Sequence, residues 1–304
     1  MATPIAAGQI AVLLNPVAGR GRYLDLLPAV LETLRGAGRE VCELPATSGD
    51  EAVAACRAAV AEGAGALVAV GGDGTLHAAF QAVAGTGVPL GVVPAGTGND
   101  FVVNLGLPAE AVAAAEAVAV ALREGRRTRP VDLARISTVD GEERWFGSVL
   151  AAGFDAVVNE RANHMRFPKG PRRYDIAIVL ELLRLRAREY TLRLDGVEHR
   201  VPAVLVAVGN TASYGGGMRI CPAADPTDGL LDVVVGARMG RGTLMRIKPD
   251  LYQGTHVDHP LVTEHRAATV ELDAEGITTY VDGERAFPLP LTIEAVPGAL
   301  TLLG

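Results

Sequence analysis

Residues 66–101 constrain this chain more than any other stretch. They read Ala66-Leu67-Val68-Ala69-Val70, then Gly71-Gly72-Asp73-Gly74-Thr75. After a helical segment come Leu90-Gly91-Val92-Val93 and Pro94-Ala95-Gly96-Thr97-Gly98-Asn99-Asp100-Phe101. Short apolar runs bounded by turn residues predict buried parallel strands. Each run empties into a Gly-rich loop that opens a helix. The two loops are therefore expected side by side at the carboxyl ends of neighbouring strands, where open α/β sheets bind ligands.

Glycines let backbone N–H groups approach a polyphosphate and form an anion-binding concavity. The helix after Thr75 adds the partial positive charge of its N-terminus. Asp73 would repel phosphate on its own, so its position calls for a cation, and a Mg²⁺ ion between carboxylate and phosphate fits. Thr97 and Asn99 bring a hydroxyl and an amide to the second loop. One Gly-rich loop alone is an ordinary tight turn. Two of them, with Asp, Thr and Asn embedded and one strand–helix unit apart, point to phosphate binding.

The order of elements around this stretch is β-α-β-α-β-α-β-α. Residues 10–14 predict a first strand, followed by the loop Asn15-Pro16-Val17-Ala18-Gly19 and a helix over about 22–35 that Gly36-Ala37-Gly38 ends. Residues 39–44 predict a second strand. Ser48 and Glu51 then have the spacing of a capping box. A first-turn proline at Pro108 predicts a helix from there to about 124. The polar, Gly/Pro-flanked run 124–130 marks a domain boundary. A doubly wound, Rossmann-like α/β domain over residues 1–130 follows from this order.

Residues 131–288 change character. Runs at 145–150, 190–194, 200–208, 231–235, 269–272 and 277–281 predict strands separated by turns such as Asp195-Gly196 and Asp282-Gly283. This is the pattern of an antiparallel β-sandwich-like domain. Between the strands, 161–188 holds Arg161, Arg166, Lys169, Arg172, Arg173, Arg184, Arg186 and Arg188 against only Asp175 and Glu181. A helix over 174–188 is expected there, either as a solvated face or as a basic surface for anionic headgroups.

The chain of 304 residues is long for one core, which also favours two domains. A net charge of −7 argues against general nucleic-acid binding. Cys42, Cys56 and Cys221 lack disulfide or metal spacing, which suits a reducing cytoplasm. No run reads as a spanning helix, because 201–218 contains Asn210, Thr211, Ser213, Tyr214 and four glycines.

Gly71-Gly72-Asp73-Gly74-Thr75 paired with Pro94-x-Gly96-Thr97-x-Asn99-Asp100-Phe101 resembles the catalytic domain of diacylglycerol kinases. The likeness is to the soluble bacterial lipid kinases, relatives of the sphingosine and ceramide kinases and more distantly of NAD kinases. It extends to Asn15-Pro16-x-x-Gly19, to the run from Gly209 to Asp232, and to Asp282-Gly283-Glu284, all in family order. One departure is Leu76-His77-Ala78, where many bacterial members have x-Asn-Glu. The resemblance implies an ATP- and Mg²⁺-dependent kinase acting on a hydroxyl of diacylglycerol or a related glycerolipid or sphingoid lipid, within phospholipid metabolism. It implies that Asn15, Pro16, Gly19, Thr47, Gly71, Gly72, Gly74, Thr75, Gly96, Thr97 and Asn99 face the nucleotide, with Asp73 acting through Mg²⁺. Asp225, Asp228 and the Leu230 carbonyl become ligands of a structural Mg²⁺, and Glu284, helped by Asp282, becomes the proton acceptor. The tail 289–304 rejoins the first domain and the active site lies in a cleft between domains. The lipid is met transiently at the inner membrane surface by a cytoplasmic protein, for which a homodimer is admissible. An NAD kinase, or an inactive nucleotide- or lipid-binding regulator, would carry parts of the same pattern.

Overall fold

The computed structural model describes residues 6–14, 25–96, 98–125, 128–165, 167 and 172–304. The chain divides into two compact units. One comprises Met1–Leu133 with Val296–Gly304, the other Ala134–Ala295.

The first unit runs β1 (Ile10–Leu14), α1 (Leu27–Arg35), β2 (Val41–Pro45), α2 (Gly49–Ala61), β3 (Ala66–Gly71), α3 (Asp73–Val83), β4 (Leu90–Pro94), α4 (Asp100–Asn104), α5 (Ala111–Glu124) and the start of β5 (Thr128–Thr138). β1, β3 and β4 are buried along their whole length, as strands covered on both faces must be. They pair in parallel in the order β2-β1-β3-β4. On the far side of β4, Leu302 pairs with Leu90, so the chain's last strand closes the sheet in parallel. Gly91 makes close packing possible there: a Cβ on it would lie 2.8 Å from a Val118 methyl of α5.

Local signals explain most of these boundaries. Ser48 caps α2, its Oγ accepting from Glu51 N at 3.2 Å. The return bond of the box is extended, since the Glu51 carboxylate also accepts from Thr47 N (2.9 Å) and Thr47 Oγ1 (2.6 Å). α5 starts later than Pro108 suggests. Glu110 is the cap, its carboxylate accepting from Val112 N (3.2 Å) and Ala113 N (2.8 Å). The stretch after Phe101, expected as loop, first makes the short helix α4. The first described turn of α1 starts at Leu27, with a proline in it.

The second unit continues with β6 (Glu143–Phe146), β7 (Val149–Ala151), α6 (Phe154–His164), α7 (Arg172–Leu183), β8 (Arg188–Leu194), β9 (Val197–Gly209), β10 (Leu231–Ala237), α8 (Arg241–Ile247), α9 (Asp250–Gln253), a 3₁₀ turn (Thr255–Asp258), β11 (Val262–Ala267), β12 (Thr269–Asp273), β13 (Thr278–Val281), β14 (Glu284–Pro288) and β15 (Leu291–Leu303). Its strands pair in the order β14-β13-β7-β9-β8-β12-β15, with β10 and β11 added beside β9 and β6 beside β5. A core of Phe146, Tyr190, Val206, Val233, Ile293 and neighbours fills it. The run expected as one strand over 145–150 is two, broken at Gly147-Ser148. The helix expected over 174–188 occupies Arg172–Leu183, and Arg188 already begins β8. β5 begins at Thr128, inside the polar run that sequence suggests as a boundary, and the division between units falls within this strand, between Leu133 and Ala134.

Candidate active site

In the first unit the two Gly-rich loops touch. Ala95 N donates to Gly71 O at 2.8 Å. A Cβ on Gly96 would stand 2.6 Å from Gly72 Cα, and one on Gly72 3.2 Å from Gly96 Cα. No other residue type permits this backbone approach. A Cβ on Gly71 would lie 2.2 Å from Thr75 Oγ1, so the buried Thr75 hydroxyl sits over the strand end.

Asp73 occupies the first turn of α3, with Gly72 as N-cap. Asn99 N donates to its Oδ2 at 2.9 Å and ties the second loop to the first. Asn99 itself has φ 56°, a left-handed conformation that Asn tolerates. Its side chain brackets Gly96: Oδ1 accepts from Gly96 N at 3.2 Å and Nδ2 donates to Gly96 O at 3.1 Å. That leaves one amide hydrogen of Asn99 for a ligand. Thr47 is likewise partly spent, its hydroxyl donating to Glu51 at 2.6 Å. That bond, ahead of the one from Thr47 N, holds the Glu51 carboxyl below its ordinary value. Asn15, Pro16, Gly19 and Thr97 lie outside the described residues. His77 and Ala78, where many family members have Asn-Glu, are both buried in α3.

The acidic hairpin belongs to the second unit. Asp282 (φ 50°) and Gly283 (φ 85°) form a turn with both central residues at positive φ, and Val281 pairs with Glu284 across it. The Asp282 carboxylate accepts from Gly147 N (3.1 Å) and Ser148 N (2.8 Å). From the other side, Asn210 Nδ2 donates to Gly147 O at 2.8 Å and Asn210 N to Ser148 O at 2.8 Å. Asp282 therefore already carries out a positioning task. Glu284 is exposed, and its carboxylate makes no hydrogen bond or ion pair among the described residues.

A Mg²⁺ ion fits Asp73, which brings a carboxylate, the hard oxygen donor that this ion takes, to the point where the two loops meet. The Asp225–Leu230 loop fits less well. Asp225 Oδ1 accepts from Thr227 N (3.0 Å) and Thr227 Oγ1 (2.6 Å), and Asp228 Oδ1 accepts from Leu230 N (2.9 Å). The other Asp228 oxygen is paired with Arg266, which also lies 3.5 Å from Asp232. A guanidinium thus neutralises the carboxylate that sequence offers to a metal.

Several features had no sequence signal. Asp155, at the start of α6, is half-buried and hydrogen-bonded to the Tyr214 hydroxyl, and burial pushes its carboxyl up. Near it a cavity of about 350 Å³ opens, floored by Phe154, Val157, Leu185, Tyr190, Val204 and Ile277 with Arg184, Arg186 and Arg188 at its wall. A half-buried carboxyl at a helix start after Gly153 could have been suspected from Gly-Phe-Asp alone only with the fold in hand. Of the basic segment, Arg166 and Lys169 lie outside the described residues. Arg161 pairs with the buried Glu181. Arg172, Arg184 and Arg186 are exposed, beside exposed Ile176, Val179 and Leu183 on α7. No described helix is long and apolar enough to cross a membrane.

Residues 9–136 match the model of the diacylglycerol kinase catalytic domain, and residues 147–304 match that of the YegS C-terminal NAD kinase beta sandwich-like domain. The chain is 43% identical over 297 residues to a diacylglycerol kinase of Mycobacterium tuberculosis, covering 97% of this chain and 95% of that protein. With a diacylglycerol kinase of Staphylococcus aureus it shares 27% identity, covering 92% and 87%. A crystal structure from Bacillus anthracis has the same fold, with a TM-score of 0.79 at 21% identity, over 99% of this chain and 96% of that one.

Proposed function

We propose, from the premise that the chain belongs to the diacylglycerol kinase catalytic family and is a lipid kinase, that ATP is its phosphoryl donor and diacylglycerol or a closely related lipid its acceptor. The observation that carries this reading is the contact of the two loops. Gly72 against Gly96, with Asn99 N on Asp73, seats the second loop against the start of an eleven-residue helix, whose first-turn N–H groups have no partner in the helix ladder. A polyphosphate is the ligand such a helix start suits.

Phosphoryl transfer asks the protein for positioning and charge neutralisation rather than covalent chemistry. Gly72 and Gly74 hold phosphate oxygens through N–H groups, and Asn99 contributes its remaining amide hydrogen. Asp73 would hold Mg²⁺, which when bound neutralises charge on the transferring phosphoryl group. In the second unit Glu284 takes the proton of the attacking lipid hydroxyl. Asp282 stays on Gly147 and Ser148 and keeps the turn in place. The 350 Å³ cavity, in the lower part of the range of roughly 300–1,000 Å³ for ligand pockets, has the apolar floor that one hydrocarbon chain needs. The exposed Ile176, Val179 and Leu183, flanked by arginines, suit a transient visit to an anionic membrane surface, each basic residue adding about 1 kcal/mol.

The test is turnover of ATP and Mg²⁺ with dispersed diacylglycerol, with NAD as the competing acceptor. Diacylglycerol is expected to be phosphorylated and NAD not; the reverse would make the chain an NAD kinase. Asp73→Asn is expected to lose at least ~10²-fold in turnover, the scale of one electrostatic group, while its melting temperature holds. Near-normal turnover in that variant would remove the nucleotide from these loops.

A further inference from the structure

The hairpin that carries Glu284 is weakly held by its own ladder. β14 stands at the end of the sheet order, and β13 pairs with β7 at only Tyr280↔Ala151 and Val281↔Leu150. The β13–β14 ladder is itself irregular between Thr278 and Tyr280. A carboxylate whose position matters needs more than this, and the hairpin is anchored on two further sides. One anchor is Asp282 on Gly147 and Ser148.

The other anchor is Glu160, near the end of α6. The Tyr280 hydroxyl donates to Glu160 Oε2 at 2.6 Å, and Arg285 Nε donates to the same oxygen at 3.1 Å. Asn163, from the same helix, donates to the Tyr280 hydroxyl at 3.2 Å. Tyr280 lies on β13 and Arg285 on β14, directly paired across the turn, so one helix carboxylate clasps both strands of the hairpin. Adjacent residues on a strand face opposite sides, which puts Glu284 on the face away from this clasp. Arg144 completes the anchoring by donating to Arg285 O at 2.6 Å. Burial works against ionisation of Glu160, yet the bonds from Tyr280 and Arg285 outweigh it and hold the carboxyl below its ordinary value. The Tyr280 hydroxyl, buried and facing a carboxylate, is pushed up to about 12, so it remains a donor.

We propose that Glu160 is the positioning residue for Glu284: through Tyr280 and Arg285 it fixes the β13–β14 hairpin to α6 and so sets where the proton-accepting carboxylate stands. Glu160 touches neither substrate nor nucleotide in this role. The inference rests on the reading of Glu284 as the proton acceptor, so the experiment separates the two.

Glu160→Ala, Glu160→Gln and Tyr280→Phe are each measured alone and in a Glu284→Gln background, for kcat, KM for ATP and melting temperature. A misplacement of the order of an ångström can cost about 10²-fold. Glu160→Ala is therefore expected to lower kcat about 10- to 100-fold with KM for ATP unchanged, and the other two by less. In the Glu284→Gln background none of the three should lower kcat further, because a residue that acts only through Glu284 has nothing left to position. An equal loss in both backgrounds overturns the proposal, as does full activity of Glu160→Ala beside an inactive Glu284→Gln; in both cases Glu284 keeps its role. Wild-type turnover by Glu284→Gln removes the proton acceptor and the proposal with it. If Glu160→Ala does not fold, Tyr280→Phe keeps the buried ring, removes one hydroxyl, and carries the same comparison.

Discussion

Two hairpins in the second unit are built alike and differ at one point. At the β8–β9 turn, Asp195 and Gly196 have φ 46° and 88°; at the β13–β14 turn, Asp282 and Gly283 have φ 50° and 85°. Asp195 accepts from Ala268 N (3.3 Å) and Thr269 N (2.8 Å), as Asp282 does from Gly147 N and Ser148 N. A backbone bond accompanies each turn, Asp195 N on Thr269 O at 3.0 Å and, one residue past the docked pair, Asp282 N on Val149 O at 3.2 Å. The residue after the glycine differs: Val197 in one, Glu284 in the other. An Asp-Gly turn docked by its carboxylate onto two consecutive N–H groups is thus a structural unit used twice. Chemistry has to be sought in what departs from that unit, and the departure is Glu284.

The sharpest way to break the comparison is to exchange its one difference. Glu284→Gln is expected to lose turnover by about 10²- to 10⁴-fold, the range for a general base, with ATP binding and melting temperature kept. Val197→Glu, which writes the same tripeptide at the other turn, should leave turnover alone and shift stability by no more than about 0.5 kcal/mol, since Val197 is exposed. A Glu284→Gln enzyme that works normally would make both hairpins merely hairpins.

The next pair tests whether the two aspartates are equivalent. Asn keeps the turn and one acceptor but gives up the charge on bonds to two backbone N–H groups. Asp195→Asn and Asp282→Asn should each cost about 1–3 kcal/mol in denaturant titration. Only Asp282→Asn should also lower kcat, by roughly tenfold, because its turn presents Glu284. If Asp282→Asn is deader than Glu284→Gln while both remain folded, the two carboxylates exchange roles.

Both turns were legible in the sequence, because Asp-Gly between apolar runs specifies backbone geometry directly. The same holds for β1, β3 and β4, whose uninterrupted apolar runs can only be buried strands, and for Ser48 as a cap. The loops around Gly72 and Gly96 were legible for a related reason: only glycine permits that approach, so composition records the contact. What escaped was governed by partners distant in sequence. α6 lacks a side-chain cap and follows Gly153, whose hydrogen lies where a Cβ would meet Leu205 Cα at 2.5 Å. β5 and β15 each contain a proline and scattered polar residues, and each contributes to both units. β11, Val262–Ala267, is polar because, among the described residues, it pairs only with β10. Nothing near Glu160 in sequence shows that it meets Tyr280, 120 residues away. Asn99, which reads as a phosphate ligand, spends most of its side chain on Gly96 three residues before it, a local loop bond rather than a distant one.

The glycines of the two turns offer the smallest effect and a test of the same logic from the backbone side. Gly196 and Gly283 sit at φ 88° and 85°, and a Cβ on either would meet nothing within 4 Å. Alanine there is opposed only by its own backbone preference, about 1–2 kcal/mol for a left-handed L-residue. Part of this is offset by the entropy that alanine removes from the unfolded chain, so a net loss of about 1 kcal/mol is expected for each, equal within error. Strain at Gly196→Ala should stop at stability. Strain at Gly283→Ala falls between the two residues that place the proton acceptor, Asp282 before it and Glu284 after it. A small loss of kcat, about twofold to fivefold with KM for ATP constant, should therefore appear in that variant alone. Equal stability losses with an activity loss in one hairpin would show two turns of the same construction, one of them holding a reacting group. Equal activity in both variants would mean that the backbone of the β13–β14 turn can shift without moving Glu284, and that the clasp from α6 rather than the turn sets its position.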